Sequence, residues 1–467
     1  MGRKTTLMAA FLLAFLLSAS VGSQLTLLAR ANYFPYPGPD LPRIYIRSDG
    51  TVEPPSALIA RVGSSYQLMG GIVLFTVEIQ RDNVVLDGAG YSIQGNGSWL
   101  GYDAGNNGVV VAGRNNVTVT RLVIAQCYVG VRVSNSSRVS VIGNTFTNGT
   151  TEGVTAKDSS LVMIEGNSFA SIYGPAVICN GSANTIRGNS MTNGAYGIKL
   201  EGSSNLISEN RIEMMLPIIL DRADSNVIAR NNISGPAPSP QFPGQSSGNE
   251  GIALFRSCSN NIVFGNTLTG FANQAIRITD GANNTVYGNY LSKNQYAVAL
   301  GGLGWPVNNT FYGNIFTTDS CNVSIHDSDL INFWDNGTIG NYWSNYNGTD
   351  TNGDGIGDTP NILDANNTDR FPLINEVESA AITLTTFPSA SPSSLSSASA
   401  SPTPTSSPTT QTSSPSSPSE QPASSPETKP VTLPPEVFYA TAAAAVAIIA
   451  TVVYILRKKP HSNARST

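Results

Sequence analysis

The chain has 467 residues, 40% of them hydrophobic and only 12% charged, with 44 glycines and a net charge of -5. This suits one elongated, turn-rich domain with accessory segments. The weakly acidic balance leaves no basic footprint for nucleic acid.

At the start, Arg3 and Lys4 precede an apolar run from Leu7 to Leu17 and small residues from Ser18 to Ser23. Residues 1–23 therefore read as a secretory signal peptide, and the mature chain is expected outside the cytoplasm. Residues 24–82 read as an N-terminal cap region. Asn-x-Ser/Thr sequons such as Asn96, Asn116, Asn148, Asn180, Asn232, Asn322 and Asn336 fit an exported glycoprotein, although Asn-rich turns also generate them by chance.

Residues 83–340 are expected to form the main body. Two strand signals recur between Tyr128 and Phe316. The first alternates apolar and variable residues, with Val154, Val177, Ile198, Ile218, Ile252, Ile276 and Val298 at one phase; period two means one buried face. The second follows a polar turn and ends in Asn144, Asn167, Asn189, Asn210, Asn231, Asn266, Asn289 or Asn314. The spacing is about 22 residues, too short for a unit that buries its own core, so the units must stack. Corners too short for a helix make a parallel β-helix the simplest all-β solution. In that arrangement the recurring Asn forms a ladder at one corner, tolerating the left-handed backbone and passing amide bonds from coil to coil. Cys127, Cys179, Cys258 and Cys321 lie coils apart or at different phases, so free thiols are expected rather than disulfides.

Outward positions of the first strand hold the candidate site. Glu201 and Asp221 share a phase in adjacent coils, about 5 Å apart, the separation at which retaining glycosidases place acid and nucleophile. Two such carboxylates repel, so one pKa should rise unless a cation such as Lys199 offsets it. Tyr196 and Phe255 offer sugar-stacking faces, and Arg277 completes the candidate ligand-binding set. The alternative is a solvated face whose charges pair with Lys199 or Arg222. A Pro/Ser-rich insertion, Gly235 to Gly248, leaves the helix just after this coil, where it could wall a groove.

Residues 341–375 read as a C-terminal cap carrying a calcium-type loop. Asp350, Asn352, Asp354 and Asp358 fall at loop positions 1, 3, 5 and 9, Gly355 at the sharp turn, and Ile356 supplies a carbonyl. Position 12 is Asn361 rather than Glu, and Asp364 could supply the missing carboxylate. Residues 376–434 form a Ser/Thr/Pro-rich stalk that cannot bury a core. Residues 435–456 are of spanning length and are followed by Arg457, Lys458 and Lys459, which predicts a C-terminal transmembrane helix with 457–467 as cytoplasmic tail.

The coils, with Asn83 to Ile93 and Asn115 to Ile124, resemble the right-handed parallel β-helix repeats of the NosD-like and carbohydrate-binding or sugar-hydrolase families. Ile44 to Pro55 and Gly340 to Pro360 resemble the flanks of archaeal cell-surface members. The resemblance covers about 44 to 375. It implies a right-handed solenoid and, in NosD itself, copper delivery. Copper wants imidazole, thiolate or thioether ligands, and His326 and His461 are the two histidines of the chain, so copper is not expected here. The expected function is a membrane-anchored, extracellular, non-catalytic module for glycan binding, adhesion or envelope structure, with calcium as a structural cofactor. Its partners would be a cell-envelope glycan or polysaccharide and the membrane. The rival readings are a polysaccharide lyase, glycosidase or epimerase on the exposed sheet, and a NosD-type copper-delivery accessory protein.

Overall fold

The computed structural model describes residues 41–97, 106–236, 249–302, 304–317, 321–327 and 329–376. All lie in the first of two compact units, Met1–Ala390. The signal segment, residues 237–248 of the insertion, the stalk beyond residue 376 and the candidate span 435–456 fall outside the described residues. Among the described residues no helix is long and apolar enough to cross a membrane.

The described chain winds as a parallel β-solenoid of about 11 turns. Each full turn contributes a strand to three sheets. The first sheet includes Val129–Ser134, Pro175–Ser182, Ile252–Phe255, Gln274–Ile278 and Tyr296–Leu300. The second includes Ser137–Ile142, Thr185–Arg187 and Thr285–Tyr287, and the third Thr145–Thr147, Ser168–Ala170 and Thr267–Thr269. Ser190–Glu201 and Arg211–Asp221 run without a break from the third sheet into the first. Inward residues meet their own kind: Val177 pairs with Ile198, Ile198 with Ile218, Ile218 with Ile252, and Ile276 with Val298. This is the stack expected from period two, and its members are buried. Parallel pairing reaches back to Arg43–Ile46 on Thr76–Ile79, inside the span read as a cap, where Ile59–Val62 and Ser65–Leu68 also form an antiparallel hairpin.

Most turns enter the first sheet through a glycine or alanine, and the Arg211–Asp221 coil enters through Pro217. A Cβ at Gly130 would stand 2.6 Å from the carbonyl oxygen of Gly153 and 2.6 Å from the Phe146 ring. Glycine is therefore required at this corner, whereas Ala176, Pro217 and Ala275 take the equivalent place in their own coils. Phe146 stacks on Phe169 with ring centroids 4.7 Å apart, continuing the coil-to-coil repeat inside.

The asparagine ladder is present and fully buried. The backbone N–H of Asn189 donates to Oδ1 of Asn210 at 3.0 Å, and the Asn189 amide donates to the same oxygen at 2.9 Å. Asn210 repeats both bonds onto Asn231, and its amide also reaches back to the Ile186 carbonyl at 3.0 Å. The expected left-handed backbone belongs to a different residue. It is the residue before each ladder Asn that has positive φ, such as Gly188 at 63°, Glu209 at 57° and Arg230 at 55°. A second ladder runs in parallel through Asn184, Asn205, Asn226, Asn261, Asn284, Asn309, Asn332 and Asn367. Its first six members share the spacing Asn-x-x-x-x-Asn with the first ladder, as in Asn184/Asn189 and Asn205/Asn210, a signal that the sequence carries plainly.

Both ladders end on carboxylates. Asp369 accepts the backbone N–H of Asn341 at 2.7 Å and the indole N–H of Trp343 at 2.7 Å, while Asn367 donates to Asp364 at 2.9 Å. Asp364 thus closes a ladder rather than joining the calcium-type loop. A carboxylate accepts but cannot donate onward, so the column stops there. Trp334, stacked on Phe311, and Trp343, tilted against Phe316, each with ring centroids 4.5 Å apart, plug the end of the core. Burial pushes Asp369 up to about 6 despite its N–H donors.

Asn210→Ala strands the donors of Asn189 and the carbonyl of Ile186, and is expected to cost about 3–5 kcal/mol in equilibrium denaturation. In Gly188→Ala a Cβ meets nothing within 4 Å, so only the left-handed backbone is penalised, by about 1 kcal/mol. Asp369 takes up a proton more readily folded than unfolded. Its contribution is therefore full below about pH 4 and lost as pH rises through about 6, a change on the order of 3 kcal/mol. Asp87, held below the usual carboxylate range by Arg121, loses its contribution only at lower pH, so the window is diagnostic. Melting curves of Asp369→Asn should be flat between pH 4 and 6, and a retained slope would refute the assignment.

Candidate functional site

Three rows of side chains cover the outer face of the first sheet. The middle row is set by the pairs Ile178–Lys199, Lys199–Ile219, Ile219–Ala253 and Ala253–Arg277. The next row carries Asn180, Glu201, Asp221 and Phe255. Residues on the far side of the small-residue corner also point outward, giving a row with Pro175, Tyr196 and Leu216, and later Gln274 and Tyr296. Continuing the Ile252–Ile276 register two residues back sets Glu250 beside Gln274 in this row.

The carboxylates of this face are paired with cations. Glu201 meets Lys199 at 3.2 Å and accepts the Asn180 amide at 3.1 Å. Asp221 is buried rather than displayed, which corrects the open acid pair read from phase alone. It holds the guanidinium of Arg256 and lies 3.9 Å from that of Arg222. Each carboxylate is thus set against a cation rather than against the other carboxylate. Arg277 donates to Glu250 at 2.6 Å and lies 5.8 Å from the Phe255 ring centroid. Tyr196 is exposed and Phe255 partly buried. Sequence phase missed Glu250, Gln274 and Arg256. The first two were hidden because the small-residue corner breaks strict alternation, and Arg256 because it lies one residue past its strand.

The family of right-handed β-helix regions matches residues 78–232, and the family described as periplasmic copper-binding protein (NosD) matches residues 176–348. Together they cover most of the coils. The chain is a NosD-like right-handed parallel β-helix protein. No curated protein matches it by sequence. Among solved structures, it is similar to the catalytic domain of a GH87 alpha-1,3-glucanase in complex with nigerose, at 14% identity and TM-score 0.48, covering 65% of this chain and 64% of that one. It is also similar to a periplasmic alginate epimerase (14% identity, TM-score 0.40, 62% of this chain and 82% of that one). A tailspike protein of E. coli bacteriophage HK620 in complex with hexasaccharide is another such structure (14%, 0.39, 58% and 50%), so this chain spans about half of the tailspike's length.

The donors that a copper site would use are scattered in this NosD-like chain. Burial pushes the thiols of Cys127 and Cys179 up to about 12 and that of Cys258 up to about 11, and all three are free. His326 is exposed, and His461 lies outside the described residues. Among the described residues no three His, Cys, Asp or Glu side chains converge on one point.

The calcium-type loop is a tight bend. Asp350 accepts the N–H groups of Gly353 at 2.7 Å and Gly355 at 2.9 Å, and Asp354 accepts that of Ile356 at 2.9 Å. Asn352 donates its amide to Asp354 at 2.9 Å. The Thr351 hydroxyl and N–H hold the Asp358 carboxyl below its usual range. The oxygens suit a hard cation in kind, but they are turned onto the loop's own donors.

Arg256→Ala should leave Asp221 buried beside one distant guanidinium and cost about 2–3 kcal/mol in urea denaturation. Lys199→Ala, at an exposed pair, should cost under about 1 kcal/mol.

Proposed function

We propose that this protein is an extracellular glycan-binding module, exported by residues 1–23 and held at the cell surface by the stalk and the candidate span 435–456. The observation that carries the reading is the outer face of the first sheet. There Arg277 pairs with buried Glu250 and lies against Phe255, Tyr196 is exposed two coils away in the same row as Glu250, and Glu201 and Asp221 are committed to cations. Aromatic faces with a few fixed polar groups are what sugar recognition needs. Proton transfer needs a carboxyl free to exchange a proton, which favours binding over turnover. The NosD family is described as periplasmic, which agrees with a location outside the cytoplasm.

Calcium is part of the same proposal. Asp350, Asn352, Asp354, Asp358 and the Ile356 carbonyl would hold it, neutralising three carboxylates on one bend and stiffening the cap. Copper delivery is not proposed, because the thiols are buried apart.

A polysaccharide array probed with the purified full-length chain, followed by product analysis, tests the reading: retention without cleavage is expected, and cleavage lost in a Glu201→Gln/Asp221→Asn double variant would establish an enzyme instead. Excess chelator should lower the melting temperature of the wild type but not of Asp354→Ala.

A further inference from the structure

Along the outer row at the small-residue corner, Tyr196, Leu216, Glu250, Gln274 and Tyr296 stand in successive coils. Four strand spacings of about 4.8 Å separate the two tyrosines by about 19 Å along the solenoid axis. Between them lie two acceptors that the fold leaves unmatched. Glu250 is 4% exposed and Gln274 9%. Oε1 of Glu250 accepts from Arg277, but its Oε2 and the Oε1 of Gln274 are buried with no hydrogen-bond partner, as is Oδ1 of Asp221 in the row across. Buried acceptors are normally satisfied, so these oxygens call for donors.

The neighbouring cations are engaged. Arg277 is held by Glu250, Arg256 by Asp221 and Lys199 by Glu201. A surface with unmatched acceptors and engaged cations selects groups that donate hydrogen bonds and carry no negative charge. A carboxylate or sulfate has no proton to give, and its charge would be repelled by that of Glu250. A sugar hydroxyl donates to such an oxygen and leaves the Glu250–Arg277 pair intact.

We infer that the ligand is an uncharged, hydroxyl-rich glycan lying along the axis between Tyr196 and Tyr296, with hydroxyls donating to Glu250 and Gln274. This rests on the glycan-binding reading above and specifies its substrate class.

The test is affinity electrophoresis of the full-length chain through neutral polysaccharides (mannan, laminarin, dextran), acidic ones (alginate, polygalacturonate, chondroitin sulfate) and cationic chitosan. At least one neutral polymer should retard the wild type, and no charged polymer should. Gln274→Met, which removes an acceptor at similar volume, should weaken neutral binding about tenfold, the scale of one well-made hydrogen bond. Glu250→Gln should weaken it similarly and, by releasing Arg277, should create binding to alginate. Unchanged melting curves show that each variant folds; if Glu250→Gln does not, Gln274→Met carries the test. Retardation of the wild type by charged polymers only, or neutral binding indifferent to Gln274→Met, overturns the inference while leaving glycan binding intact. No retardation by any polymer overturns the glycan-binding reading and this inference with it.

Discussion

A solenoid with short corners has one recurring problem: at each corner, backbone N–H groups turn into the core, where water cannot reach them. An unpaired buried N–H costs about as much as a hydrogen bond is worth, and here the cost would recur in every coil. Asparagine solves it, because one side-chain oxygen takes two N–H groups from the preceding coil while its own amide nitrogen donates both forward and back. Two columns of it run up this molecule. Serine could accept but would leave fewer bonds; aspartate could accept but not donate. That asymmetry explains why carboxylates stand where the columns end, at Asp364 and Asp369.

The ladders fix the pitch, and the pitch fixes everything outside. Residues in equivalent positions of neighbouring coils must lie one strand spacing apart, so each outward row is a regular array whose chemistry can change only from coil to coil. On the first sheet the array passes from apolar residues near Ile178 and Ile219 to a polar cluster of buried Glu250 and Gln274 with half-buried Arg277. Such rigidity suits an extended polymer that repeats along its own length.

Several features could be read directly from the chain. The inward stack, the first asparagine column and the free thiols of Cys127, Cys179 and Cys258 follow from phase alone, because period two and a 22-residue repeat leave few ways to bury the apolar residues. The second column was equally available in the Asn-x-x-x-x-Asn spacing. The left-handed residue lies one position earlier than expected, since glycine or a polar residue precedes each Asn of the first column and both can take that backbone. The linear motif Asp350 to Asp358 predicted a bend correctly, but whether its oxygens face outward or onto their own N–H groups is a property of the folded loop.

What the sequence determined by itself is therefore the solenoid, since its repeat is local and each coil needs only its neighbours to close. The tertiary structure alone decided which charges are available. Asp221 is outward in phase yet buried, because Arg256, one coil on and past the end of its strand, folds back over it. Glu250 and Arg277 meet across a corner where a glycine lets the backbone turn and two successive outward positions replace alternation. Ion pairs of this kind depend on the three-dimensional reach of long side chains, which no periodicity in the chain encodes.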